Sequence, residues 1–199
     1  MFISAYLIRN YLNNDPLLDW LELYGEKKGF KKDDIQSVFL QFLSQKKHQF
    51  KQKNIDSILN RINSLNLKCF EIDVTLSVRR RIAKTIDQMY LGSDIIVRGG
   101  VYHQTTSGEN WYMVPDILIK KSQIKHVFPE LNVSTVEMIP EDCYIPIIIS
   151  YLTLRFSRKQ ETFPQLLNDQ KLKYYKCLSQ LAQTACLSMY DTINNLNLS

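Results

Sequence analysis

The 199 residues predict a mixed α/β (α+β) protein, helical in its first half and built on a small central sheet in its second. Three observations carry this. Apolar residues in the first half recur at three- and four-residue spacing, the period of a helix. From Ser93 to Phe156 that period gives way to short apolar runs rich in Ile, Val and Tyr, separated by a glycine pair, prolines and a polar turn. The helical period then returns over Leu166–Ile193. The 45% apolar content supports a sizeable core. A single domain over 1–199 is expected, with 1–70 as a helical portion and 71–199 as the sheet-containing core.

Taken in order, Asp15 reads as an N-cap and Pro16 as the first helical residue of "DPLLDWLELYG". Leu17, Leu18, Leu21 and Tyr24 form its apolar side, and Gly25 is its natural stop. Ile35, Val38, Phe39, Phe42 and Leu43 begin a second helical stripe. Ile55, Ile58, Leu59 and Ile62 continue it beyond the basic stretch "KKHQFKQK". "SVRRRIAKTIDQMYLG" is a further helix, ended by Gly92. "SDIIVRGGVYHQ" then reads as a strand whose glycine pair marks a bulge or a close backbone approach. "TTSGEN" is a turn, and "WYMVPDILIKK" returns as the second strand of a hairpin. Residues 121–135 form a loop or short helix. "YIPIIISYLTLRF" is a third strand, and its unbroken apolar character predicts a central position buried on both faces.

Charge narrows the function only a little. A formal net charge of +5 permits a nucleic-acid or anionic partner without demanding one. Cys69, Cys143, Cys177 and Cys186 form no C-x-x-C pair and no zinc-like spacing with the three histidines. They read as reduced core thiols of an intracellular protein. No signal-peptide pattern and no apolar run of about 18 residues occurs, so no membrane span is expected. Zincin, P-loop and α/β-hydrolase motifs are absent. Asp116, after Pro115, stands out as an acid on an apolar strand: a buried carboxylate must be paired or metal-bound, and the plainer alternative is a strand end, in water or accepting from a neighbouring N–H. The basic runs Lys46–Lys53 and Arg79–Arg81 are either solvated helix faces or a phosphate-tracking surface. Arg79, Arg80, Arg81, Lys84, Lys120 and Lys121 are the candidate nucleic-acid contacts.

The ordered series "SAYLIRNYLNNDPLLDWLELYG", "FLQFLSQKKHQFKQKNIDSI", "TIDQMYLGSDIIVRGGVY", "VPDILIK", "YIPIIISYLTLRF" and "KYYKCLSQLAQTA" resembles the PD-(D/E)XK nucleases. Within them it is most similar to the RecB-like group of CRISPR-associated exonucleases and their giant-virus relatives. The resemblance implies a restriction-endonuclease-like core and metal-dependent phosphodiester hydrolysis. In that chemistry, carboxylates on adjacent strands hold Mg²⁺ or Mn²⁺ and a lysine positions the attacking water. Asp116 matches the family's strand aspartate, and Gln180 its supporting helix glutamine. The acid-x-lysine triplet falls on Ile148-Ile149-Ser150, so Ile148 stands for the acid and Ser150 for the lysine. The early-helix acid falls near Lys51, a cation that would repel a metal ion. Lys120, Lys171, Lys173 and Lys176 are the lysines that could replace the missing one.

The resemblance therefore implies a catalytically degenerate nuclease-fold protein that binds nucleic acid, a protein partner or an active paralogue. It would need no cofactor, and would work inside the cell or, for a viral protein, in the viral factory. Two alternatives stand beside it. One is an active Mg²⁺- or Mn²⁺-dependent nuclease with a rearranged site, Asp116 being its metal ligand. The other is an unrelated intracellular α/β interaction domain.

Overall fold

One long hairpin organises the chain. The computed structural model describes residues 2–12, 16–30, 38–131, 138–150 and 170–197. In it, β3 (Ile95–Val97) pairs antiparallel with β6 (Ile117–Lys120), and β4 (Val101–Gln104) pairs antiparallel with β5 (Asn110–Met113). One register runs through both ladders. Stepping outward from Val97↔Ile117 along both chains reaches Val101↔Met113 with no residue inserted. Between the ladders the hairpin breaks, and each arm contributes to two sheets. The expected two strands are therefore four. Pro115 has no N–H to give a ladder, and the Gly100 N–H goes to Thr85 Oγ1 at 2.8 Å instead. A Cβ on Gly99 would lie 2.8 Å from Leu118 Cδ1, so the chain crosses there only without a side chain.

The first sheet has the order β1-β5-β4, where β1 is Phe2–Ser4. The second has the order β2-β3-β6-β7, where β2 is Cys69–Glu71 and β7 is Tyr144–Ile147. β1 and β2 lie in the half expected to be helical; three residues are too few to display a two-residue alternation. Among the described strands β7 stands at an edge, not at the centre. Tyr144 is buried, while Ile145–Ile147 are only half-buried. The strands buried throughout are β3 and, up to Ile119, β6, because each is flanked on both sides. Residues 151–156 of the predicted strand lie outside the described residues.

Side chains of the second sheet alternate between two cores. Ile95, Val97, Ile117 and Ile119 join Ile55 and Ile62 of α3 (Val38–Ser64). Ile96 and Leu118 join Met89 of α4 (Val78–Tyr90), together with Leu178 and Met189 of the closing helix. This is the period-two geometry of a strand covered on both faces. The α3 stripe at 55, 58, 59 and 62 packs as expected. Its earlier part does not: Val38, Phe39 and Phe42 are exposed, and Ile35 lies outside the described residues.

α1 (Ile8–Leu12) and α2 (Pro16–Trp20) precede a π turn, Leu21–Gly25, and a 3-10 turn, Glu26–Lys28. The stop expected at Gly25 falls at Gly29. Gly25 keeps right-handed helical angles, whereas Gly29 takes φ +81°, the left-handed conformation that ends a helix. Asp15 lies outside the described residues, and Leu17, Leu18 and Tyr24 are exposed. Gly92, at φ +67°, ends α4 as expected. α5 (Lys121–Val127) follows β6, and α6 (Gln170–Asn197) closes the chain. Among the described residues no helix is long and apolar enough to cross a membrane.

Candidate functional site

Asp116 sits where the hairpin breaks and is 6% exposed. Its backbone N–H donates to Ile147 O at 3.0 Å. Continued one pair beyond Ile117↔Ile147, the β6–β7 register sets Asp116 opposite Ile148. Both carboxylate oxygens are engaged. Lys51 Nζ lies 2.6 Å from Oδ1, and the Ile149 N–H donates to Oδ2 at 2.7 Å. The burial is thus compensated by one ion pair and one charge-assisted hydrogen bond.

Lys51 reaches the carboxylate because of its place on α3. His48, Lys51, Gln52 and Ile55 follow i, i+3, i+4, i+7 spacing, so they share the helix face that buries Ile55 and Ile62. A lysine four residues before a core isoleucine is the signal of this contact in the sequence. The expectation that Lys51 repels a metal ion does not include this pairing.

Arg98 completes the wall. Its backbone φ is +58°, a left-handed conformation that costs a non-glycine residue roughly 1–3 kcal/mol when held by its surroundings. Three bonds hold it. Its N–H donates to Asp116 O at 2.9 Å, Nη1 meets Glu71 Oε1 at 2.5 Å, and Nη2 donates to Gln52 Oε1 at 3.0 Å. Arg81 enters from α4 and donates through Nη2 to Val74 O at 2.5 Å. Its Nε is buried and has no hydrogen-bond partner among the described residues. Together these groups line a cavity of about 220 Å³ containing His48, Lys51, Arg81 and Arg98 against one acid, Asp116.

This lining does not fit Mg²⁺ or Mn²⁺. A protein-held Mg²⁺ takes one or two carboxylates with open oxygens, in near-octahedral geometry. Here the single carboxylate is bonded at both oxygens, and the surrounding side chains repel a cation. No group of three or more His, Cys, Asp or Glu suited to a metal occurs among the described residues. The arrangement suits an anion with several acceptor oxygens, which Lys and Arg donors can approach together.

The other predicted residues are dispersed. Ile148 packs against the core that contains Leu118 and Leu178. Ser150 Oγ is buried without a hydrogen-bond partner among the described residues. Gln180 is exposed on α6; three residues on, Gln183 donates to Tyr144 O at 3.2 Å and ties the helix to β7. Arg79–Arg81 do not act as one face: Arg79 and Arg80 are exposed, with Lys84, whereas Arg81 turns inward. Arg81 does so because it lies four residues before the buried Thr85 and donates to Val74 O. Lys120 and Lys121 leave the site altogether. They stand at the far end of β6, where Lys120 pairs with Asp142 at 2.7 Å and Lys121 with Glu141 at 3.0 Å. Acids that follow α5 claim both lysines. Lys176 is exposed, and the side chains of Lys171 and Lys173 lie outside the described residues.

The cysteines are free among the described residues, but they are not uniformly core thiols. Cys143 and Cys186 are buried, Cys177 half-buried and Cys69 exposed on a strand at the sheet edge. Compared with known proteins, the chain matches no family model, no curated protein and no solved structure.

Proposed function

We propose that this protein binds the phosphate groups of nucleic acid on a nuclease-like scaffold in which the Lys51–Asp116 ion pair stands in place of a metal centre. The observation that carries this reading is the 2.6 Å contact between Lys51 Nζ and Asp116 Oδ1. The position of Asp116 opposite Ile148, on adjacent antiparallel strands, supports the resemblance to PD-(D/E)XK nucleases. In that family the same two positions carry carboxylates. With Ile148 and Ser150 in the reactive places, hydrolysis is lost. The converging Lys51, Arg81 and Arg98 remain as a phosphate-binding wall. DNA is the expected partner, in an intracellular setting. The same scaffold allows a protein partner such as an active paralogue.

A second reading has one observation in its favour. An ammonium touching the retained aspartate is also what an active nuclease with a relocated lysine would show. One pair of measurements separates the two. Single- and double-stranded DNA incubated with the protein in Mg²⁺ or Mn²⁺ should stay intact. Fluorescence anisotropy should report binding that weakens with salt. Substituting Arg81→Gln should flatten the log–log salt dependence by about 0.7–0.9 for each phosphate contact removed. Cleavage that disappears in Asp116→Ala would establish the active enzyme instead. No DNA binding at low salt would leave the unrelated interaction domain.

A further inference from the structure

We infer that the phosphate pocket is one half of a nucleoside-phosphate site, and that the adjoining cavity lined by Tyr6, Tyr112, Leu76, Val78 and Ile82 receives the base. This inference rests on the phosphate-binding reading and adds what the phosphate is attached to.

The two cavities share a wall. Arg81 and Val114 line both, and the second cavity has a volume of about 320 Å³. That lies near the lower end of the range for small-molecule sites, about 300–1,000 Å³. The linings differ in kind. The first gathers cations. The second, apart from Arg81, holds two tyrosines, aliphatic side chains and the backbone of Gly100. An apolar slot with aromatic walls, entered beside a cluster of cations, matches a planar heteroaromatic ring joined to an anion.

Two details support a ligand there. The Nε of Arg81 is a buried donor without a hydrogen-bond partner among the described residues, set in the wall between the two spaces. Buried donors are almost always satisfied, so a missing acceptor at this point is informative. Gly100 lets α4 pack closely enough to set Arg81 in this wall, since a Cβ there would come within 3.2 Å of Arg81 Cγ and 3.3 Å of Ile82. The Tyr6 hydroxyl already donates to Val114 O at 2.9 Å, while two-fifths of the residue stays exposed. Its ring is therefore the surface left for contact. Burial of that hydroxyl, and then the charge of Asp116, push its pKa up to about 12, so Tyr6 feels the carboxylate of the neighbouring pocket.

The test compares inorganic phosphate, deoxyribose phosphate and dAMP as ligands of the full chain by titration calorimetry. Base–aromatic contact predicts that dAMP binds tighter than deoxyribose phosphate by about 5- to 150-fold. Tyr112→Ala should reduce dAMP to the affinity of the sugar phosphate and leave the latter unchanged. Because Tyr112 lies in a strand, Leu76→Phe serves as a second variant; it narrows the slot without removing a side chain and should have the same selective effect. Equal affinity for dAMP and deoxyribose phosphate in the unaltered protein would overturn the base half and leave the phosphate reading standing. Failure of all three ligands to bind would remove both. A short 5′-phosphorylated single strand that competes better than dAMP would assign the unit to a strand end. Equal competition would assign it to a free nucleotide. Either result retains the base half.

Discussion

Tyr6 and Asp116 show how much one side chain depends on what surrounds it. Asp116 is buried without open oxygens, because a helix sixty-five residues earlier delivers Lys51 and the next strand delivers the Ile149 N–H. Tyr6 keeps its proton because burial disfavours the phenolate and Asp116 adds like charge. Its folded pKa, about 12, lies above the ordinary 10.0. The unfolded chain therefore loses this proton first as pH rises. The stability contributed by the neutral hydroxyl is complete below the ordinary value and is lost as pH rises through the folded one. Alkaline unfolding followed by circular dichroism should accordingly lose less stability between these two values in Tyr6→Phe than in the parent. Burial also raises Tyr144 and Tyr174, so part of the alkaline loss should persist. Superimposable curves for parent and variant would show that Tyr6 has no such role.

At the scale of elements, the broken hairpin decides where the site forms. A continuous β3–β4 strand paired with a continuous β5–β6 strand would keep residues 114–116 inside a regular ladder. The Gly99–Gly100 crossing, the missing N–H of Pro115 and the Thr85 hydroxyl instead open the ladder there. Arg98 and Asp116 are left facing the pocket. Gly99→Ala tests this. The added methyl would meet Leu118, Ile96 and Thr85 at 2.8–3.2 Å in a fully buried region. Overpacking of this kind typically costs about 1–3 kcal/mol. For a chain of this size that corresponds to about 2–4 °C of melting temperature per kcal/mol. An unchanged melting temperature would mean the crossing has room that the geometry denies. The glycine pair was legible as a break in the sequence; its use as a passage between two sheets was not, because both ladders share one register and look like one hairpin.

Across the whole molecule, the mild positive charge is sorted rather than spread. Acids neutralise Lys120 and Lys121 at one end of β6, while at the other Lys51, Arg81 and Arg98 meet two carboxylates, Asp116 with Lys51 and Glu71 with Arg98. The two cores pack on either side of the second sheet, next to that pocket. Thiol chemistry reports whether the cores are closed. Burial pushes the Cys143 thiol up to about 11 and raises Cys186 well above its ordinary value, whereas Cys69 is exposed. Partial burial and then Glu71 raise the Cys69 thiol as well, so it is access that sets it apart: the thiolate is the reactive form, and alkylation should modify Cys69 before Cys143 and Cys186. Cys143 and Cys186 should react only in denaturant, as read by mass spectrometry. Equal rates at all three would mean that the larger core opens readily.

Local pattern was enough to determine the mixed helix-and-strand class, the presence of helices α3, α4 and α6, the turn between β4 and β5 and the singularity of Asp116. Each depends on periodicity or on one residue's chemistry within a few positions. Tertiary structure alone decided that β7 lies at an edge, that Arg81 parts from Arg79 and Arg80, and that Lys51, not Lys120, meets the aspartate. Those outcomes depend on which face of one element packs against another far away in the chain. A buried carboxylate demands a partner, but only the packing of α3 over the sheet says which one it receives.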